Sequence, residues 1–268
     1  MNVRALVLLG VAAAATEAGD AFAQRRGEFG RGRSRDNADG FYMPYTWAGN
    51  TAYDGRFTFA RVKYRGTGQG VGWSHDFPRA ESHFMRIMRE ITSMRPFVEA
   101  GPIVGGNILA LDDPNLMKYP VAYLSEPGGW YPNEKEVLGL RNYLVKGGFL
   151  IVDDFDGGSM NRDWMHFVDV MRQVLPKNRV VEIAQTHPIF DSFFKIDFQQ
   201  LVSYGTGDKP GYYAVFKDDD PRKRVMVIVN FNQDIGDYWE WSDRGFSPVP
   251  TNEAYKLGVN YLIYALTH

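Results

Sequence analysis

No cysteine occurs anywhere in this chain of 268 residues. Disulfides, thiolate metal sites and a cysteine nucleophile are therefore excluded together. Charge of one sign is lacking as well, with 30 Lys and Arg against 32 Asp and Glu and a formal net charge of -2. Such a balance sets up no global field for nucleic acid or an anionic membrane surface, so neither is expected as a partner. Long apolar runs are also missing. The one near the N-terminus is too short to span a bilayer, and no later stretch is long and apolar enough. Neither Ser125 nor Ser159 lies in a G-x-S-x-G setting, which argues against a serine hydrolase. There is no internal repeat.

What is present is apolar mass, 44% of residues being hydrophobic and 15% aromatic, enough for one large domain with a sizeable core. Ahead of it, residues 1–23 have the build of a secretory signal. Arg4 supplies the positive start, Ala5 to Ala15 the apolar stretch, and Ala21-Phe22-Ala23 the small-x-small pattern before a cleavage point at Gln24. The expectation is export, to a periplasm or beyond the cell, with no transmembrane segment left after cleavage. Residues 24–55 read as a solvated Arg/Gly-rich linker and an aromatic arm. The clustered Arg25, Arg26, Arg31, Arg33 and Arg35 leave a phosphate-binding tether as the alternative.

The folded part, residues 56–268, is organised around Gly147-Gly148-Phe149-Leu150-Ile151-Val152-Asp153-Asp154. Two glycines stop a helix, four apolar residues make a strand buried on both faces, and two carboxylates follow where strand becomes loop. Further strands are expected at Arg56 to Tyr64, Ile108 to Leu111, Val121 to Ser125, Val180 to Ile183, Tyr212 to Phe216 and Val225 to Asn230. The stripe Phe84, Ile87, Met88, Ile91, Met94 marks one amphipathic helix. Asn133 with Glu136 opens a second, the stripe Trp164, Phe167, Val168, Met171, Leu175 marks a third, and Thr251 to Leu266 forms the last. Strands alternating with helices, plus a late β-hairpin around Asp218-Asp219-Asp220-Pro221, give a mostly parallel three-layer α/β sheet. Asn230 to Trp241 reads as a long loop.

Several motifs occur together: Trp73 with Asp76-Phe77-Pro78, Tyr119-Pro120-Val121, Tyr143-Leu144 followed by Gly147-Gly148 and Asp153-Asp154, His187-Pro188-Ile189-Phe190, and Asn230 with Asp234, Gly236 and Trp239. In this combination, residues 56–268 resemble DUF4159, a bacterial family of domains of unknown function. The resemblance implies a flavodoxin-like sheet of the class I glutamine amidotransferase type and kinship with trehalose-utilisation-type domains. It implies no particular reaction. Glutaminase chemistry by the amidotransferase route is excluded, because Asp153 and Asp154 stand where that route needs a cysteine.

Ligands of open α/β sheets lie beyond the carboxyl ends of the strands, so the candidate site is drawn from residues there. Asp153 and Asp154 are the candidate acid–base or nucleophilic carboxylates, one facing the crevice and the other capping a turn; His187, after another strand, is their candidate partner. Glu126, in a Glu-Pro-Gly-Gly turn, and Asn230, Asp234 and Trp239 are the candidate ligand-binding residues. The aromatics beside Asp234 and Asp237 suit either a sugar face or packing against the core. His75, Asp76 and His83 do not have the spacing of a helical zinc pair. Neither metal nor cofactor is expected, and Asp76 reads as a helix cap. Two functions follow. One is an exported binding or assembly module that recognises an envelope protein or a carbohydrate-like small molecule. The other is a hydrolase acting on a carbohydrate or envelope-derived substrate.

Overall fold

A computed structural model describes residues 49–65, 72–96, 106–155, 160–201 and 209–268. The expected signal segment and all but the end of the linker lie outside the described residues, as does Ser159. Seven strands form one sheet: β1 (Ala60–Lys63), β2 (Asn107–Ala110), β3 (Val121–Ser125), β4 (Phe149–Asp153), β5 (Val181–Glu182), β6 (Gly211–Phe216) and β7 (Val225–Phe231). Among the described residues five helices pack on it: α1 (Arg79–Ile91), α2 (Glu134–Val145), α3 (Met160–Val174), α4 (Ile235–Glu240) and α5 (Pro248–Thr267).

The strand order is β2-β1-β3-β4-β7-β6-β5. β2, β1, β3, β4 and β7 run parallel, while β6 is antiparallel to both β7 and β5. The sheet is mostly parallel and ends in the expected late hairpin. Its parallel part has the 2-1-3-4 order of doubly wound sheets, in which the direction of winding reverses between β1 and β3. Ligands of such sheets bind at that reversal, beyond the carboxyl ends of these two strands.

Side-chain alternation along β4 builds both cores. Phe149 and Ile151 join Phe84, Met88, Trp239 and Leu257 beneath α1, α4 and α5. Leu150 and Val152 join Leu140, Leu144, Phe167 and Met171 beneath α2 and α3. Each such side chain contributes about 1.5–3 kcal/mol on full burial, so β4 is held from both faces. Helix α2 begins and ends as its sequence dictates. Asn133 accepts from the N–H groups of Lys135 and Glu136 while Glu136 accepts from the Asn133 N–H, which completes a capping box. At the other end Gly147 takes φ +119, and the N–H groups of Gly147 and Gly148 reach the carbonyls of Leu144 and Tyr143. This is the left-handed stop that glycine permits.

Three expectations about elements need correction, the first being the strand over Arg56 to Tyr64, which spans only Ala60–Lys63. The stretch from Asn230 to Trp241 is not all loop, for α4 lies within it, capped by Asp234, whose side chain accepts from the Asp237 N–H. Six residues are too few to show a helical apolar period, so the cap was the only local signal. The strand expected over Val180 to Ile183 shortens to Val181–Glu182, because it pairs only with β6 at the sheet edge. No helix among the described residues is long and apolar enough to cross a membrane.

Candidate functional site

The sheet brings four loops to one edge. β3 and β4 end in register, Ser125 beside Asp153, so Glu126 and Asp154 leave the sheet side by side. The turn following β1 delivers His75 and Asp76 just before α1, and the loop after β7 delivers Asp234 and then α4. Six described non-glycine residues have positive φ. Asp218 and Asp219 belong to the distal hairpin; the other four, Asp76 (φ 64), Glu126 (φ 49), Asp154 (φ 61) and Asn232 (φ 60), all lie in the loops at the carboxyl edge. Left-handed backbone costs roughly 1–2 kcal/mol outside glycine, less for Asp and Asn, and such strain concentrates at working sites.

The two adjacent aspartates divide their labour. Asp153 is fully buried and accepts four hydrogen bonds, from the Tyr123 hydroxyl (2.5 Å), the Asn230 amide (2.9 Å) and the N–H groups of Ile235 (2.9 Å) and Gly236 (3.1 Å). It therefore anchors the start of α4 to the sheet. Burial pushes its carboxyl up to about 7, against the opposing pull of these donors. Its oxygens are committed to these four donors. Asp154 turns the other way, into the crevice. Its Oδ2 lies 3.0 Å from His75 Nδ1 and accepts from the Ser125 hydroxyl at 3.3 Å.

His75 is ringed by acids: Asp154, Asp76 Oδ1 at 3.3 Å and Glu126 Oε1 at 3.8 Å. The charge of Asp76 is the main influence on it and, with Asp154 and Asp237, pushes the imidazole up to about 11 against desolvation. Asp76 is the outlier of the group. It is 4% exposed, and neither carboxylate oxygen has a hydrogen-bond donor among the described residues. Burial raises its carboxyl well above the ordinary range, Asp237, Asp154 and Glu240 add to that, and His75 opposes it. The expected cap role does not hold: only its backbone carbonyl serves α1, accepting from the Ala80 N–H at 3.0 Å. Burial likewise raises Asp234, with Asp154, Asp237 and Asp76 contributing, and it raises Glu240, beside Asp237.

One donor atom each from His75, Asp76, Asp154 and Asp234 lies within 4.8 Å of the others, and Asp76, Asp237 and Glu240 form a second such group. The spacing that argues against a metal along the chain does not constrain these residues in space. Gly236 makes the approach possible, since a Cβ there would stand 2.4 Å from Asp76 Oδ2 and 2.8 Å from the Tyr123 hydroxyl. The β3 end is pinned by Tyr64, whose hydroxyl donates to the carbonyls of Ser125 and Glu126 at 2.8 and 2.6 Å.

Other candidates fall elsewhere. His187 does not open onto this edge. The chain reverses after β5, the His187 N–H meeting the Ala184 carbonyl at 2.8 Å, and the ring settles against Phe216 and Tyr264. Tyr264 in turn touches Phe149 and Val225, the first residues of β4 and β7, which places His187 at the opposite end of the sheet. There its Nδ1 accepts from the Ile189 N–H at 3.2 Å, and burial lowers its pKa. Trp239 is 1% exposed and packs against Phe84, Tyr123 and Tyr255, so it serves the core and offers no face to a sugar. Asn230 supports from below, donating to Asp153 and accepting from the Tyr261 hydroxyl at 2.7 Å. Glu126 stays at the rim beside His75. The residues that sequence reasoning set aside, His75 and Asp76, stand at the middle of this cluster. Their position just after the first strand of a doubly wound sheet was the available signal.

Compared with known families, residues 58–266 match the family described as Domain of unknown function (DUF4159). No curated protein matches the chain.

Proposed function

Given that this chain belongs to the DUF4159 family, we propose that it is an exported binding module of the cell envelope. Its strand-end crevice takes a polar ligand rich in hydrogen-bond donors, of carbohydrate type. The observation that carries this reading is Asp76, a buried carboxylate without a donor among the described residues, set among acids. Apart from the 3.3 Å contact with His75, its oxygens have no compensating partner among the described residues, so its burial costs the fold stability. Its retention at the winding reversal of the sheet supports a role in ligand recognition. The excess of acids favours neutral or cationic ligands, so glucosamine should bind more tightly than glucose. Residues 1–23 support export, and the 2-1-3-4 strand order supports kinship with the glutamine amidotransferase-like domains.

Isothermal titration of the purified chain with glucose, trehalose and glucosamine tests the proposal. Saturable binding that Asp154→Asn abolishes is the expected result. Heats indistinguishable from dilution for all three sugars would remove the reading.

The hydrolase reading has one specific observation behind it, the 3.0 Å contact of Asp154 with His75. In that reading His75 replaces His187. Asp154 takes the proton of an attacking water while the imidazolium of His75 protonates the leaving oxygen. Release of nitrophenol from nitrophenyl glycosides, lost in His75→Gln, would support it.

A further inference from the structure

We infer that His75, Asp76, Asp154 and Asp234 form a binding site for one divalent first-row cation of the Mn2+ or Zn2+ kind. The inference deepens the reading above and rests on the same crevice, with the polar ligand docking beside the ion.

Three observations carry it. The four residues come from three separate loops, yet each places a donor atom within 4.8 Å of all the others. Donors about 2.1 Å from a common centre are at most roughly 4.2 Å apart, so the cluster needs only a small contraction to close on an ion. Second, Asp76 is buried with both oxygens lacking a donor among the described residues, and one of them points to this group. His75, 3.3 Å from Oδ1, is its one close positive group among the described residues, and an ion in the middle supplies the remaining compensation. Third, the surroundings hold these ligands in place. Asp234 is fixed as the cap of α4, Asp154 by Ser125, and α4 itself by Asp153. Gly236 keeps clear the space against Asp76 Oδ2 and Asp234 Oδ1, which a Cβ would crowd at 2.4 and 3.3 Å. Outer supports of this sort are what tune metal sites.

The donor set selects the ion. Three carboxylates more than offset a divalent charge, and one imidazole nitrogen, which gives up its proton to solvent as the ion binds, favours Mn2+ or Zn2+ over Ca2+ or Mg2+, which prefer oxygen alone.

The test is calorimetric titration of the EDTA-treated chain with MnCl2, ZnCl2, CaCl2 and MgCl2, together with Asp76→Asn, His75→Gln and, as control, the exposed Asp169→Asn. The expected result is one Mn2+ or Zn2+ per chain, bound more tightly than Ca2+ or Mg2+. Affinity should fall by about 100-fold in the first two variants and stay unchanged in the control. Pulsed electron paramagnetic resonance of the Mn2+ form should show nitrogen coupling that His75→Gln removes. Circular dichroism checks folding; Asp234→Asn, which keeps the helix cap, substitutes for any variant that fails to fold. No saturable Mn2+ or Zn2+ binding, or binding unaltered in both site variants, overturns the inference. Titration of the EDTA-treated chain with glucosamine separates the two claims: if the sugar binds while the cations do not, only the metal site falls, and if neither binds, both fall.

Discussion

Two neighbouring carboxylates should respond to the same substitution with opposite signs. Asp76→Asn removes a charge from a group crowded by like charges, in a residue with φ 64 that asparagine tolerates as well as aspartate. Unit charges 4.8 Å apart repel by about 3.5 kcal/mol at an effective dielectric of about 20, and the 3.3 Å attraction to His75 is about 5 kcal/mol. Asp154, Asp234, Asp237 and Glu240 each bring an oxygen to within 4.8 Å of Asp76, so several repulsions are relieved and one attraction is lost. Proton uptake within the cluster caps the sum, and the new amide can donate to a neighbouring acid, so a gain of about 1–3 kcal/mol remains. For a domain of this size that is roughly 3–8 °C in Tm. Asp153→Asn, by contrast, sets an amide among four donors and strips α4 of its anchor, a loss of about 2–4 kcal/mol. Differential scanning calorimetry in EDTA reads both. A fall in Tm for Asp76→Asn, or no fall for Asp153→Asn, would refute the division between ligand-facing and anchoring carboxylates.

Gly236→Ala should destabilise the chain by about 1–3 kcal/mol, because its Cβ would be driven against Asp76 Oδ2 and the Tyr123 hydroxyl; urea melts would show it. Trp239→Ala should cost about 3–5 kcal/mol as a core cavity, while a retained sugar affinity in the folded fraction would confirm that the ring does not stack on ligand. The metal-free chain should melt at a lower temperature as pH rises from 6 to 9. His75 is raised from 6.5 to about 11, so its contribution is full below 6.5 and is lost as pH climbs toward 11. Asp76 and Asp234, raised above 3.8, and Glu240, raised above 4.5, act in the same direction. Each binds its proton more tightly in the fold than in the unfolded chain, and that stability is lost as pH rises through their folded values. A Tm that stays flat or rises across this range would contradict the assigned charge states.

Local chemistry in the sequence already determined the strands, four of the five helices and the helix stop at Gly147-Gly148. Each of these depends on neighbours within a few residues: apolar period, the Asn133 and Glu136 cap, or a glycine free to take positive φ. The same reasoning placed Asp153 and Asp154 at a strand end and divided them between crevice and turn, since adjacent strand residues point to opposite faces. Tertiary structure alone decided which of them anchors and what joins the other. His75 reaches Asp154, 79 positions on, because only β3 separates β1 from β4 in the sheet. His187 fails to, because a turn after β5 folds it back beside Tyr264. Strand order and loop reversal set distances between residues far apart in sequence, and no local pattern encodes them. The short helix α4 and the burial of Trp239 belong to the same class. Both arise from packing of the loop after β7 onto the sheet, where Asp153 receives the first turn of that helix.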